Sequence, residues 1–187
     1  MSDHVETLVA RAKSGELPAA SQLLAEFYER IFAYFRRLCG SDEDAADLTQ
    51  KTFCKAWHSL ANYHGRSSFN TWLHAIAHHV HVDWRRQRNR LDSQSDDWWE
   101  TCVADGPSPF ESAAESETAH QLYALVEQLE DDQREVIHLH YYQSLSLQET
   151  ADALDIATST VKYRLRHALD LLQTRLAEPK LRHQSQG

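Results

Sequence analysis

The sequence predicts an all-α protein made of two small helical domains joined by an acidic flexible linker, and three observations predict it. Apolar residues recur every three or four positions through almost every segment, which is the spacing of one helix face. The chain has only five Gly and four Pro, several of them grouped in Gly106-Pro107-Ser108-Pro109, so little turn chemistry is left for a sheet. From Asp92 to Glu117 the acidic residues continue without any Lys or Arg, which marks an interdomain segment. The expected division is residues 1–91, a linker at 92–117, a second domain at 118–178 and a tail at 179–187.

In the first domain, Val5 to Lys13 form a short amphipathic start that ends at Ser14-Gly15. Pro18 suits the first turn of a longer helix, where its missing N–H costs nothing. Leu23, Leu24, Phe27, Tyr28, Ile31, Phe35 and Leu38 then keep a helical spacing until Gly40 stops it. This stripe reads as packing, with Arg30, Arg36 and Arg37 solvated at its edges.

Ser41 or Asp42 caps the next helix, and Asp44 and Asp47 oppose the positive end of its dipole. Ala45, Leu48, Thr52, Phe53, Ala56, Trp57 and Leu60 form its inner side. Asp44, Asp47, Gln50, Lys51, Lys55 and His58 are left to face solvent or a partner.

Asn62-Tyr63-His64-Gly65-Arg66-Ser67-Ser68 reads as a loop, and Ser67 or Ser68 caps a helix carrying Leu73, Ile76, Ala77, Val80 and Trp84. The far end of that helix, Arg85-Arg86-Gln87-Arg88-Asn89-Arg90, concentrates positive charge after Trp72 and Trp84. That combination suits a phosphate backbone with unstacked bases beside it, although a bare basic run is also an ordinary solvated helix end.

Trp98 and Trp99 interrupt the acidic linker and are expected to dock on the first domain or on a partner. Beyond it, Leu122, Leu125, Val126 and Leu129 point inward from one helix, and Asp132 with Glu135 has the spacing of a capping box before Val136, Ile137, Leu139 and Tyr141. Ser146 with Glu149 repeats that spacing at the start of a short helix bearing Leu147, Ala151 and Leu154. Asp155-Ile156-Ala157 then makes a turn, and Thr158 or Ser159 opens a second helix. On it Val161, Leu165, Ala168, Leu169, Leu172 and Leu176 cluster on one side, with Ser159, Tyr163, Arg166 and His167 opposite, flanked by Lys162 and Arg164. This is a helix-turn-helix whose outer face suits a DNA major groove: cations reach phosphates and guanine edges, and Ser and Tyr supply neutral hydrogen bonds.

Composition limits the remaining functions. A net charge of −9 with a pI near 5.7 argues against coating nucleic acid by bulk electrostatics, so any DNA contact comes from local basic patches. No run of about 18 apolar residues occurs and no basic-then-apolar start, so no membrane insertion is expected and the protein reads as cytoplasmic. Cys39, Cys54 and Cys102 lack metal-ligand spacing and read as reduced, partly buried thiols. His74 and His78 have the i, i+4 spacing that can clamp a metal, but no carboxylate or cysteine completes a local set. No nucleophile and base are arranged for catalysis, so neither a metal, a cofactor nor an enzymatic activity is expected.

Taken in order, these segments resemble sigma-70 family factors of the extracytoplasmic-function (ECF) type. The first domain carries the resemblance in Asp44-Ala45-Ala46-Asp47-Leu48-Thr49-Gln50, Phe53, Trp57, Ser67-Ser68-Phe69-Asn70-Thr71-Trp72-Leu73, Ile76-Ala77, and Asp83 before Arg85-Arg86. The second carries it in Leu129, Gln133-Arg134-Glu135-Val136, Leu145-Ser146, Glu149-Thr150-Ala151, Leu154, Ile156, Thr160-Val161-Lys162, Arg164-Leu165 and Ala168. The resemblance implies that the domains are sigma regions 2 and 4, and that the partners are core RNA polymerase (the clamp and flap), promoter DNA and an anti-sigma factor.

It further implies that Asp44, Asp47, Leu48, Gln50, Lys51 and Phe53 bind the clamp coiled coil. Asn62, Tyr63, His64, Arg66, Ser67, Trp72, His79, Arg85, Arg86 and Arg88 would take the minus-ten element, one base of it unstacked. Ser159, Thr160, Lys162, Tyr163, Arg164, Arg166 and His167 would face the minus-thirty-five element. Lys51 stands where the family commonly has Glu, His79 replaces a frequent Asn, His167 and Leu169 replace two basic residues, and Asp155 replaces the common turn glycine. The alternative function is a stand-alone helix-turn-helix regulator, which needs no polymerase.

Overall fold

A computed structural model describes the backbone of residues 2–92 and 117–184 and the side chains of 3–90 and 121–177. It is all-α over these residues. In the first domain α1 (Ser2–Lys13) packs on α2 (Leu17–Cys39), α2 on α3 (Asp42–Ser59), and α3 on α4 (Phe69–Asp92). In the second, α5 (Glu117–Glu127), α6 (Asp131–Ile137) and α7 (Leu147–Leu154) all pack on the long α8 (Thr158–Gln184). Residues 93–116, and with them the expected linker and Trp98-Trp99, lie outside the described residues.

Local chemistry accounts for the boundaries. Pro18 lies in the first turn of α2, and Gly40 ends it at φ 70°, a left-handed conformation that strains any side chain, while its N–H closes on the Arg36 carbonyl at 3.1 Å. Ser41 caps α3 through its hydroxyl, which accepts from the Asp44 N–H at 3.3 Å. Ile31, Tyr34, Phe35, Leu48, Leu73 and Ala77 fill the first core, and Val136, Leu139, Ala151, Val161, Leu165 and Ala168 the second. A π-helical turn, His138–Tyr142, follows α6 and reorients the chain toward α7.

Several expectations are corrected by packing. Leu24, Tyr28, Trp57, Leu122 and Leu169 are exposed rather than inward, because each lies at the flank of its apolar stripe where packing covers it only in part. Arg36 is not solvated: its side chain is mostly covered and pairs with Asp42. Arg37 lies over the Tyr142 ring, 3.8 Å from its centroid. Cys54 is exposed, whereas Cys39 is half-buried and burial pushes its thiol up to about 12. The expected capping box of Asp132 and Glu135 does not form. Glu130 occupies the cap position with no side-chain cap, and Glu135 is buried and turned toward the first domain.

The two domains pack directly against each other. Helix α4 lies on α7, and α2 touches α6 and the π-helical turn. Glu135 Oε1 accepts from Tyr34 Oη and from His78 Nδ1, the latter at 2.7 Å. The two donors hold the Glu135 carboxyl below the usual range against the burial that raises it. Burial pushes the Tyr34 hydroxyl well up, and the Glu135 charge adds to the shift, so Tyr34 keeps its proton and donates.

Candidate nucleic-acid interface

The loop before α4 is built by its own backbone and by α1. A 3-10 turn, Leu60–Asn62, leads into Tyr63, whose hydroxyl donates to the Ser67 carbonyl at 2.8 Å. Lys13 Nζ of α1 donates to the Tyr63 carbonyl at 2.7 Å. The Tyr63 ring packs on Phe69 and Trp72 at 5.7 and 5.1 Å between centroids. Ser68 Oγ accepts from the Thr71 N–H at 3.1 Å and so caps α4.

Asn62, His64 and Arg66 are exposed, and His64 and Arg66 with the half-buried Ser67 lie at the rim of an open cleft of about 900 Å³. Val9, Lys13, Phe27, Arg30 and Asn70 line its walls. Neither Lys13 nor the wall from α1 was legible in the sequence, since the residues lie some fifty positions from the loop. Trp72 is half-buried against the Tyr63 and Phe69 rings.

Along α4, His79 and Arg86 are exposed, and His79 Nδ1 donates to the Ala75 carbonyl at 2.7 Å. Arg85 and Arg88 are already engaged. Arg85 reaches Asp131 of the second domain at 2.7 Å, and Arg88 reaches Asp44 of α3 at 3.5 Å with its guanidinium 5.2 Å from the Trp84 centroid. The remaining histidines serve the fold: His74 is fully buried with Nδ1 on the Asn70 carbonyl at 2.9 Å, and burial lowers its pKa to about 4.

On α3, Asp47 and Lys51 form an ion pair at 2.6 Å, and Gln50 is exposed beside them. Phe53 is half-buried and stacks on Tyr28. Leu48 is 1% exposed and fills the core directly beneath this face. Leu24, Tyr28 and Trp57 join Phe53 in an exposed apolar shelf along the C-terminal half of α3. Helical spacing alone did not separate these flanking residues from the core stripe.

The helix-turn-helix forms as its capping chemistry dictates. Ser146 Oγ accepts from the Glu149 N–H at 3.2 Å and Glu149 Oε2 accepts from the Ser146 N–H at 3.0 Å, a complete capping box. The Ser146 N–H is the main reason the Glu149 carboxyl sits below the usual range. Asp155 takes φ 52° at the turn, and Thr158 Oγ1 donates to Gln148 Oε1 at 2.8 Å, tying the two helices at their junction.

Val161, Leu165 and Ala168 bury one face of α8. Ser159, Lys162, Tyr163, Arg166 and His167 stand exposed on the other, Tyr163 at 69%, with Thr160 and Arg164 half-buried between. Tyr163 and His167 stack with planes 2° apart. Two groups are held back by α6: His167 Nδ1 is 2.8 Å from Gln133 Nε2, and Arg164 pairs with Asp132 at 3.1 Å. Arg166 and Lys162 are the exposed cations of this face.

Two matches to known families agree with this arrangement. Residues 23–91 match sigma-70 region 2, and residues 119–172 match sigma-70 region 4. The chain is 32% identical over 173 residues to the ECF RNA polymerase sigma factor SigX of Bacillus subtilis (strain 168), covering 86% of this chain and 89% of SigX. It is 25% identical over 183 residues to SigW of the same organism, covering 93% and 97%. Among solved structures it resembles the sigma factor RpoE of Bartonella quintana, determined in complex with the anti-sigma factor NepR, at a TM-score of 0.71 and 27% identity over 84% of this chain and 96% of that one. With both sigma regions in order along one chain and a full-length relative above 30% identity, the protein belongs to the sigma-70 family of RNA polymerase sigma factors, in its extracytoplasmic-function group.

Proposed function

We propose how this sigma factor divides its work among three faces. The α3 face, with Asp44, Asp47, Gln50, Lys51 and Phe53 and the apolar shelf of Leu24, Tyr28 and Trp57, binds the clamp coiled coil of core polymerase. The loop of Asn62, Tyr63, His64, Arg66 and Ser67, with Trp72, His79, Arg85, Arg86 and Arg88 of α4, takes the minus-ten element. Unstacking a base costs a few kcal/mol, and the cleft beside the loop offsets it by enclosing and stacking on the base. The exposed face of α8, Ser159, Thr160, Lys162, Tyr163, Arg164, Arg166 and His167, reads the minus-thirty-five element.

The observation that supports this reading best is the capped, turn-entered α8 with an exposed polar and cationic face opposite a buried apolar one. The protein acts by binding, not catalysis. It works in the cytoplasm, where polymerase and promoters are, and no helix among the described residues is long and apolar enough to cross a membrane. An anti-sigma factor covers its polymerase-binding faces when it is idle, as the complex of the Bartonella quintana relative with NepR suggests.

Run-off transcription with core polymerase on fragments of the source genome tests the reading. Start-specific transcripts that require the protein are expected, and Asp47→Arg is expected to reduce them by about tenfold, the size of a lost charged contact. Transcripts of equal strength from the variant would remove Asp47 from the clamp contact. DNA shifts by the free protein with no transcript would return the stand-alone regulator to first place.

A further inference from the structure

Two neighbours in the first turn of α6 hold α8 at two points one helical turn apart. Asp132 Oδ2 pairs with Arg164 Nε at 3.1 Å, and Gln133 Nε2 meets His167 Nδ1 at 2.8 Å. The second contact is the unusual one. Gln133 is 8% exposed, and its Oε1 is buried without a hydrogen-bond partner. A leucine would fill the same space without burying an amide, so packing alone does not account for a glutamine there. What its amide does have is a bond to a residue on the exposed face of α8.

That bond selects a tautomer. A neutral imidazole has one N–H and one bare nitrogen, whereas an amide nitrogen carries only N–H groups. Gln133 Nε2 therefore donates, His167 Nδ1 accepts, and the proton of the ring lies on Nε2. The Tyr163 ring lies parallel to the imidazole, with 6.1 Å between centroids and 2° between planes, so the ring is held at one edge and flanked on one face. Lys162 and Arg166, exposed on the same face, only donate, and the hydroxyls of Ser159 and Tyr163 turn to suit either partner. Of these five residues, His167 alone has a hydrogen-bonding character that a buried neighbour sets.

We infer that Gln133, which lies off the exposed face, is a positioning residue that determines specificity: through the tautomer it imposes, His167 presents one fixed donor to a base of the minus-thirty-five element. This role rests on the minus-thirty-five reading of α8 proposed above. In the major groove guanine offers N7 and O6 as acceptors, adenine N7 and thymine O4, whereas cytosine offers only its N4 amino donor. His167 therefore discriminates against cytosine. With the proton on Nδ1 the same ring would accept from the base, and cytosine and adenine would be favoured instead.

Holoenzyme formed from core polymerase and the full chain tests this on a promoter library randomised through the minus-thirty-five element, with transcripts counted by sequencing. His167→Ala locates the position, as the one whose preference it removes. There the unaltered protein should disfavour cytosine by about tenfold. Gln133→Met keeps the length of the side chain without the amide, and should cut that penalty to about twofold while the other positions keep their preferences. In a His167→Lys background the side chain donates whatever faces it, so adding Gln133→Met should leave the cytosine penalty in place. Each profile is read as ratios among bases at one position, so a smaller share of folded protein lowers all counts alike and does not imitate the effect.

A cytosine penalty that survives Gln133→Met, a preference weakened evenly at every position, or a penalty that Gln133→Met erases in the His167→Lys background too would each overturn the role of Gln133. A preference for cytosine in the unaltered protein would overturn the tautomer. Preferences that persist at every position after His167→Ala would overturn the base contact of His167 and leave the minus-thirty-five reading standing, whereas a flat profile across the whole element would remove that reading and this role with it.

Discussion

The hydroxyl of Tyr34 donates to the carboxylate of Glu135, joining residues 101 positions apart and two domains of different function. Both groups are buried, and His78 completes the acceptor's surroundings. Tyr34→Phe removes only the donor and should cost about 1 kcal/mol, whereas Glu135→Ala strands a buried hydroxyl and should cost about 2–3 kcal/mol. Urea unfolding of the single and double variants should give a coupling energy above about 0.5 kcal/mol, because the double variant loses the bond only once.

Acid should weaken the fold through His74. Burial holds this imidazole neutral down to about pH 4, against an ordinary value of 6.5, with Arg30 nearby opposing its charge further. Between those values the unfolded chain binds a proton that the folded chain does not. Stability is therefore complete above pH 6.5 and declines as pH falls toward 4, by about 3 kcal/mol at most for this group. Below 4.5 the depressed Glu135 carboxyl adds a loss of the same sign, as its bonds to His78 and Tyr34 lose their ionised acceptor. Urea midpoints at about pH 7, 6 and 5 check the trend, and His74→Leu should reduce its slope, with burial of His138, which holds that imidazole at about 3, and of His81 supplying the remainder.

Asp155 holds the turn of the helix-turn-helix at φ 52°, a left-handed conformation. Asp155→Val should cost about 1–2 kcal/mol, since a β-branched side chain meets the following carbonyl in that conformation. Asp155→Asn should be neutral within about 0.5 kcal/mol. Thermal midpoints of the two variants decide it: equal values would mean that the turn relaxes.

Arg166 and Arg164 sit two residues apart on α8 but should behave differently at a promoter. Arg166 is exposed on the polar face of α8, while Arg164 is half-buried and engaged by Asp132. Arg166→Ala should reduce transcription from a dependent promoter by about tenfold or more, and Arg164→Ala by less. Lys162→Ala should weaken binding evenly across promoter sequences and lower the salt dependence by about one unit, as for a lost phosphate contact.

Much of the fold could be read in advance because its determinants are near neighbours. The Gly40 stop, the Ser41 cap, the Ser146–Glu149 box, the Asp155 turn and the two faces of α8 all arise from groups within a helical turn of each other. The same reasoning failed at Asp132 and Glu135, whose spacing matches that of Ser146 and Glu149. A capping box needs its carboxylate to turn back on its own helix, and here a second domain offers Glu135 two better donors. Leu48, within the same α3 motif as the exposed Asp47 and Gln50, belongs to the core beneath them.

The sequence by itself determined the helices, most of their caps, the buried and exposed faces of α8 and the family, because these depend on residue type at short separations. Only the tertiary structure decided that Lys13 braces the loop before α4, that Leu24, Tyr28 and Trp57 join the α3 face, and that Arg85 is already paired. Those contacts join residues tens of positions apart, and no local periodicity encodes them. They follow from how the helices pack, where burial selects among donors that look equivalent along the chain.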